Sequence, residues 1–238
     1  MIDIINNILS NNGYQQVDID VSFDNLIFYL FSPLDVNNRE EYFVTVQLEN
    51  QSEAAAQEIQ LEKAQELFDA ISNSGKVNSY FEKNSTLIFC QEEEVISQKT
   101  ILFIEEDQYN FKKNVIVYTN DELVDLKAHL SENGIEKITN PVINSIINSD
   151  GGQSFIKFKY GVDNIKNHYS LLLKAVLKLP FITYNPQEQK LSNLDEQIEG
   201  ALAPEQLALF KRLIESNIEW TDENTHHQIS KIWGSHND

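Results

Sequence analysis

Residues 101–119 read ILFIEEDQYNFKKNVIVYT, and this stretch combines apolar, charged and strand-like sequence in close succession. Three consecutive acids at 105–107 are followed by a lysine pair at 112 and 113 and by the run VIVY at 115–118. This run predicts a short strand, because β-branched and aromatic side chains pack well on a pleated surface. The charges beside it suit either a docking or active-site ridge, or an edge element whose acids and lysines pair with each other and with water.

The composition predicts a folded, soluble, cytoplasmic protein. The chain has 238 residues, 41% of them hydrophobic, which is enough for a sizeable core. Acids outnumber bases 37 to 18, and a net charge of -19 argues against a molecule that clamps nucleic acid with its whole surface. Cys90 is the single cysteine, so an internal disulfide is excluded. No leader and no long apolar run is visible, so we expect no membrane association.

Hydrophobic periodicity predicts an α+β fold, with an N-terminal, mainly antiparallel sheet, helices packed on it, and a helical C-terminal part. Alternating or continuous apolar runs predict strands, and spacings of three and four predict helices. The predicted strands are 14–21, 26–31, 42–48 and 86–90, and the predicted helices are 2–9, 52–73, 120–133, 138–147 and 162–179, with a further periodic face after Pro204. The loop Ser149-Asp150-Gly151-Gly152 is a candidate boundary. We therefore expect a sheet-containing domain over 1–150 and a mostly helical subdomain over 151–238.

Motifs for catalysis are weak, and we predict no catalytic residue, no cofactor and no metal site. With 8 glycines, the chain has neither a phosphate-binding loop nor a dinucleotide fingerprint. Cys90 lies in an apolar strand pattern, where a small core thiol is more common than a nucleophile. The remaining cluster, near the C-terminus, has adjacent histidines that point apart and a spacing that matches no standard metal site. It comprises Asp222, Glu223, His226, His227 and His236.

The acids suggest two specific functions, one catalytic and one not. A metal-dependent nuclease needs an acid on one strand and an acid-x-lysine on the next. Asp20 or Asp24 could supply the first acid and Glu49 the second, but the lysine after Glu49 is missing. Glu106 and Asp107 precede Lys112 at the wrong spacing. The net charge also suits a DNA-mimicking inhibitor, although the acids are mixed with apolar residues and are interrupted by a lysine-rich segment.

Charge is distributed unevenly along the chain. Residues 40–110 hold fifteen acids and four lysines, whereas residues 151–181 hold five lysines and one acid. Lys157 and Lys159 alternate with apolar residues, which predicts a strand with both lysines on its solvent face. Together with Lys166, they form either a patch for phosphates or an acidic partner, or a face that pairs with the protein's own acids.

Three segments together resemble the middle component of ABC-three-component prokaryotic defence systems, of which the Lamassu group is the best-known branch. They are the run 101–119, the helix start at Asn120-Asp121-Glu122-Leu123, and LLLKAVLKLPFITY at 171–184. The resemblance covers about residues 42–184. It implies an adaptor that joins or restrains an SMC/Rad50-like ATPase and an effector, often a nuclease, with at most local or indirect contact to DNA.

The resemblance favours docking as the role of the 101–119 segment. We predict that reversing the charges of Lys112 and Lys113 weakens assembly without unfolding the chain, and that Tyr109 and Phe111 are anchors, with Phe111 equally suited to the core. Pro180-Phe181 is expected to pack internally. The predicted interface residues are Glu105, Glu106, Asp107, Tyr109, Phe111, Lys112 and Lys113.

Overall fold

The N-terminal half is built on a five-stranded sheet in which the strands follow one another in chain order. The computed structural model describes residues 1–35, 39–160, 166–185, 200–215, 221 and 223–233. The strands are β1 (Tyr14–Val17), β2 (Leu26–Pro33), β3 (Tyr42–Leu48), β4 (Ser85–Glu92) and β5 (Lys112–Tyr118). The α+β class and the helical C-terminal part are confirmed.

The sheet is mixed. The pairs β1–β2 and β2–β3 are antiparallel, whereas β3–β4 and β4–β5 are parallel. Parallel neighbours require a crossover connection. Helical segments provide it in both cases, because residues 53–72 lie between β3 and β4, and residues 98–106 lie between β4 and β5.

The helices agree with most predicted positions. They are α1 (Ile2–Ser10), α2 (Glu53–Glu58), α3 (Ala64–Ser72), α4 (Gln98–Glu106), α5 (Asn120–Glu132), α6 (Asn140–Ile147), α7 (Gln153–Tyr160), α8 (His168–Val176), α9 (Pro204–Glu215) and α10 (Thr225–Trp233). A π-helical turn, Ile59–Lys63, separates α2 from α3 and accounts for the loose apolar spacing of the single helix predicted there. The helix predicted to begin at 162 is capped by Asn167, and residues 161–165 lie outside the described part.

Helices cover both faces of the sheet, so the central strands are buried on both sides. Ile88 and Cys90 of β4 face one core, and Leu87 and Phe89 face the other. The first core takes side chains from α1, α5, α6 and α8, and the second from α2, α3 and α4. Burial raises the pKa of the Cys90 thiol to about 12, so this cysteine is a core residue, as predicted.

A polar network joins the start of α5 to α8. Thr119 and Glu122 form a capping box, in which the Glu122 backbone N–H donates to the Thr119 hydroxyl at 3.2 Å and the Thr119 N–H donates to the Glu122 carboxylate at 3.0 Å. Glu122 is fully buried. Its carboxylate also accepts hydrogen bonds from the Ser170 hydroxyl at 2.6 Å and from Lys174 Nζ at 2.9 Å. The network therefore holds one buried carboxylate with donors from both helices.

Three lysines of the lysine-rich segment pair with acids of the acid-rich segment. Lys166 and Lys174 both reach Glu93, at 2.9 and 3.2 Å, and Lys178 reaches Glu105 at 2.6 Å. For these three lysines, pairing with the protein's own acids is confirmed. Three of the five lysines in residues 151–181 are thus paired within the fold, with two acids of the acid-rich segment.

Residues Met1–Gln187 form one compact unit, and residues Glu188–Asp238 form a second. This division does not coincide with the boundary predicted near residue 150, because α8 supplies core residues such as Leu171 and Leu172 to the first unit. Phe181 packs 4.9 Å from Tyr14 and 5.2 Å from Phe43, so this aromatic residue is internal, as expected. In the second unit, α9 begins at Pro204.

Among the residues that the structure describes, no helix has the length and the hydropathy of a membrane span.

We predict that Glu122→Ala lowers the free energy of unfolding by about 3 kcal/mol, because it removes the buried acceptor of the Thr119 N–H, the Ser170 hydroxyl and Lys174 together, and Lys174 then keeps only Glu93. Urea unfolding followed by circular dichroism measures this loss. Lys166→Ala is the matched control, since both members of its ion pair are partly exposed and the cost should stay below about 1 kcal/mol. Equal losses in the two variants would contradict a structural role for the network.

A second stability prediction concerns the contact between α5 and α8, where His129 stacks on His168 with 4.2 Å between ring centroids. Burial, and next the charge of His168, lower the pKa of His129 in the folded protein. Protons therefore bind preferentially to the unfolded chain. The contribution of His129 to the free energy of unfolding is fully present above the pKa of an unfolded histidine, about 6.5, and it is lost as the pH falls below that value. The urea concentration at the unfolding midpoint should decrease as the pH is lowered from about 7.5 to about 5.5. His129→Gln should reduce that fall, and an unchanged slope would contradict the prediction.

Candidate protein interface

The start of α4 is held against α2 by hydrogen bonds to one carboxylate. Glu53 accepts from the Ser97 backbone N–H at 2.7 Å and from the Ser97 hydroxyl at 2.8 Å, and it also accepts from the Thr100 hydroxyl. These bonds, that of Thr100 first, lower the pKa of Glu53. Ser97 in turn caps α4 by accepting from the Thr100 N–H. The orientation of α4 beside α2 is therefore fixed.

A cleft of about 580 Å³ lies where the π-helical turn meets the end of α4. It is lined by Gln60, Phe103, Glu106, Asp107, Gln108 and Tyr109. Phe103 is 54% exposed and Tyr109 is 81% exposed, which is unusual for large aromatic side chains. Asn110 ties the loop to α3, because its Nδ2 donates to Gln65 Oε1 at 2.9 Å. We call the cleft lined by these six residues, from Gln60 to Tyr109, the acidic cleft.

Two of the predicted interface acids bind elsewhere in the fold. Glu105 accepts from the Val115 backbone N–H at 2.8 Å and from Lys178 Nζ at 2.6 Å. Its carboxylate is therefore hydrogen-bonded to the backbone of β5, which is an edge strand of the sheet. Asp107 pairs with Lys113 at 2.8 Å, although it also borders the cleft. Glu106 is exposed.

Phe111 and Lys113 are structural residues, which corrects their prediction as interface residues. Phe111 is fully buried and lies 5.1 Å from Phe68 between ring centroids. Lys113 is 2% exposed, and its Nζ donates to the Tyr109 carbonyl at 2.7 Å as well as to Asp107. The burial of Lys113 is at odds with the expectation that its charge reversal leaves the fold intact. For Lys112, which is exposed, that expectation stays a prediction.

Phe103 was missed by the sequence argument, and so was its neighbour Leu102, which is also exposed. A signal for both was present. Residues 101–104 are four consecutive apolar side chains, ILFI, and a helix cannot turn all four toward one core. Because Ile104 is buried against the sheet, Leu102 and Phe103 must point away from it.

Lys112 borders a second and larger cleft, of about 950 Å³, at the amino-terminal ends of β3, β4 and β5. Its charged lining has both signs, since Lys83 and Lys112 lie there with Glu41 and Glu82. Ser85 Oγ is buried beside this cleft without a hydrogen-bond partner. Acids and lysines are intermixed here, so the cleft has no single charge preference.

The predicted lysine patch is rearranged. Residues 153–160 form helix α7 and not a strand, so Lys157 and Lys159 project about 200° apart instead of sharing one face. Apolar residues at every second position suggested a strand, but this short segment is preceded by two glycines and begins with a helix cap. Asp150 accepts from the Ser154 N–H at 2.8 Å. Lys166 is engaged with Glu93.

The acids and histidines considered for catalysis are dispersed. Within the described ranges there is no group of three or more His, Cys, Asp or Glu side chains that could hold a metal ion. His226 and His227 are exposed on α10, while Asp222 and His236 lie outside the described residues. Asp20, Asp24 and Glu49 are all exposed near the ends of strands, and no lysine occupies the position that a nuclease motif would require.

A comparison with known families gives a match within the first unit. Residues 41–143 match the model of the family described as ABC-three component (ABC-3C) system Middle Component 1. The match confirms, over these residues, the resemblance seen in the sequence, and the family that they resemble is described as a middle component of a three-component system. The acidic cleft lies within the matched residues, whereas the motif at 171–184 lies beyond them. No curated protein and no solved structure matches the chain.

Charge reversal of the two adjacent lysines at the start of β5 should destabilise the fold at Lys113 and leave its stability nearly unchanged at Lys112. Lys113→Glu places a second carboxylate beside Asp107 in a buried position, and we expect it to cost at least about 3 kcal/mol. Lys112→Glu changes an exposed side chain and should stay within about 0.5 kcal/mol of the wild type. Thermal unfolding by differential scanning calorimetry compares the two variants. Similar stabilities would contradict the burial of Lys113.

Proposed function

We propose that this protein is a non-catalytic adaptor of an anti-phage or anti-plasmid defence complex in the cytoplasm. It links or restrains an effector subunit, a nuclease in the form we favour, on an SMC/Rad50-like ATPase, as in Lamassu-type systems. The observation that carries the proposal is the match of residues 41–143 to the middle-component family. Middle components act within assemblies, so the chain requires docking surfaces, whatever chemistry its partners perform.

The acidic cleft supports this role. Aromatic side chains supply much of the binding energy at interfaces, and Phe103 and Tyr109 present such side chains on rigidly held backbone. Glu106 adds negative charge beside them. A basic or mixed surface on the ATPase is therefore the preferred partner, with charge favouring partner choice and association rate more than affinity. In this account Tyr109 keeps its predicted role as an anchor, and Phe103 replaces Phe111 as the second one.

The test is co-expression with the products of the two adjacent genes, followed by size-exclusion chromatography with mass determination. We expect the wild-type chain to co-elute with a large coiled-coil ATPase. Phe103→Ala/Tyr109→Ala should weaken that association by at least about thirtyfold, the ratio that corresponds to the loss of one hot spot, because it removes both anchors. Leu177→Ala removes an exposed apolar side chain outside the cleft and is the control.

Two results would contradict the proposal. One is a solitary monomer at low salt in the presence of both gene products. The other is Mg²⁺-dependent cleavage of DNA by the purified chain, which would favour the nuclease-like alternative over an adaptor. A DNA-mimicking inhibitor would instead compete with DNA for a DNA-binding subunit, and the cleft variants should not affect that competition.

A further inference from the structure

Helix α7 exposes large apolar side chains that nothing else in the described part of the chain covers. Phe155 is 46% exposed, Ile156 is 47% exposed and Tyr160 is 72% exposed. No residue of this helix is buried. Single exposed apolar residues are ordinary on protein surfaces, but three within an eight-residue helix are a concentrated patch.

The opposite side of α7 faces its own domain. Ser154, Lys157 and Phe158 follow one another at helical spacing and border a cleft of about 190 Å³ together with Asn167 and Tyr169 at the start of α8. Phe158 also packs against the first core. Because Phe158 is turned inward, Phe155, Ile156, Lys159 and Tyr160 form the outward face, which we call the α7 face. Lys157 is exposed and lies at the margin of this face, beside the cleft.

Lys159 makes the α7 face positive, and Lys157 adds positive charge at its margin, in a chain that is strongly negative. Residues 151–160 contain Lys157 and Lys159 and no acid. Lys166, Lys174 and Lys178 pair with Glu93, Glu122 and Glu105, whereas Lys157 and Lys159 make no ion pair with any residue in the described ranges. Lys159 Nζ instead lies 5.9 Å from the centroid of the Tyr160 ring. The charge sign is thus opposite to that of the acidic cleft.

We propose that the α7 face is a second docking surface, which takes an acidic protein segment that presents apolar side chains. The inference rests on the proposed adaptor function and adds to it. The acidic cleft holds one subunit of the system and the α7 face holds the other, and the opposite charge signs prevent an exchange of the two partners.

A protein partner fits this face better than a nucleic acid does. Affinity for nucleic acid comes mainly from the number of phosphates that lysines and arginines neutralise. Two lysines on a chain of net charge -19 offer few such contacts. By contrast, an apolar helix face with a cation at its side suits an amphipathic segment whose apolar side chains are flanked by acids.

The experiment uses the full chain co-expressed with the products of its two adjacent genes and identifies each co-eluting subunit by native mass spectrometry. Phe155→Ala/Tyr160→Ala and, separately, Lys157→Glu/Lys159→Glu should each weaken retention of one subunit by about tenfold or more while the other is kept. The cleft variant Phe103→Ala/Tyr109→Ala should show the reverse pattern. If the aromatic α7 variant fails to fold, the lysine variant, which alters only exposed side chains, decides the result.

Lys76→Glu/Lys137→Glu is the matched control, since it makes the same change in net charge at exposed lysines on other elements. Retention of both subunits by both α7 variants would overturn the inference while leaving the adaptor function intact. Absence of any complex with the wild-type chain would overturn the adaptor function, and the inference with it. Binding of a fluorescein-labelled single-stranded DNA by the chain alone, lost in Lys157→Glu/Lys159→Glu, would assign the α7 face to nucleic acid and overturn the protein partner.

Discussion

The pairing of Lys174 in α8 and of Lys178 just after it with carboxylates of α5 and α4 is the interaction on which the arrangement of this domain depends. Lys174 pairs with the buried Glu122, and Lys178 pairs with Glu105. Glu105 also accepts a hydrogen bond from the Val115 N–H in the edge strand β5. A buried carboxylate is tolerated only when donors surround it, and α8 supplies two of the donors to Glu122. The helix therefore covers the apolar core and at the same time satisfies the charges at its margin.

This pairing decides which charges remain available for partners. Three lysines of the lysine-rich segment, Lys166, Lys174 and Lys178, form ion pairs with acids that lie far from them in the chain. The exposed surfaces include a cleft with Phe103, Tyr109 and Glu106, and a helix face with Phe155, Lys159 and Tyr160. Two apolar surfaces of opposite charge on one domain are a physical basis for bringing two different subunits together.

The sequence predicted the sheet strands and most helices well, because burial imposes clear periodicities on them. It erred where a short pattern fits two structures. FIKFKY alternates like a strand, but the Asp150 cap and the preceding glycines favour helix, and tertiary contacts of Phe158 complete it. Lys113 was predicted as an interface residue of the 101–119 segment, whereas it is buried against an acid and a carbonyl supplied by the loop before β5. Such pairings cannot be read from residue types, since they require the folded path of the loop.

The most direct measurement of the central claim is hydrogen–deuterium exchange of the chain alone and in complex with each partner subunit separately. The account predicts slower exchange at residues 102–109 with one subunit and at residues 153–160 with the other, while the α8 segment changes little in either complex. Protection of both segments by the same subunit, or of neither segment by any subunit, would contradict the claim that this domain joins two partners through two surfaces of opposite charge.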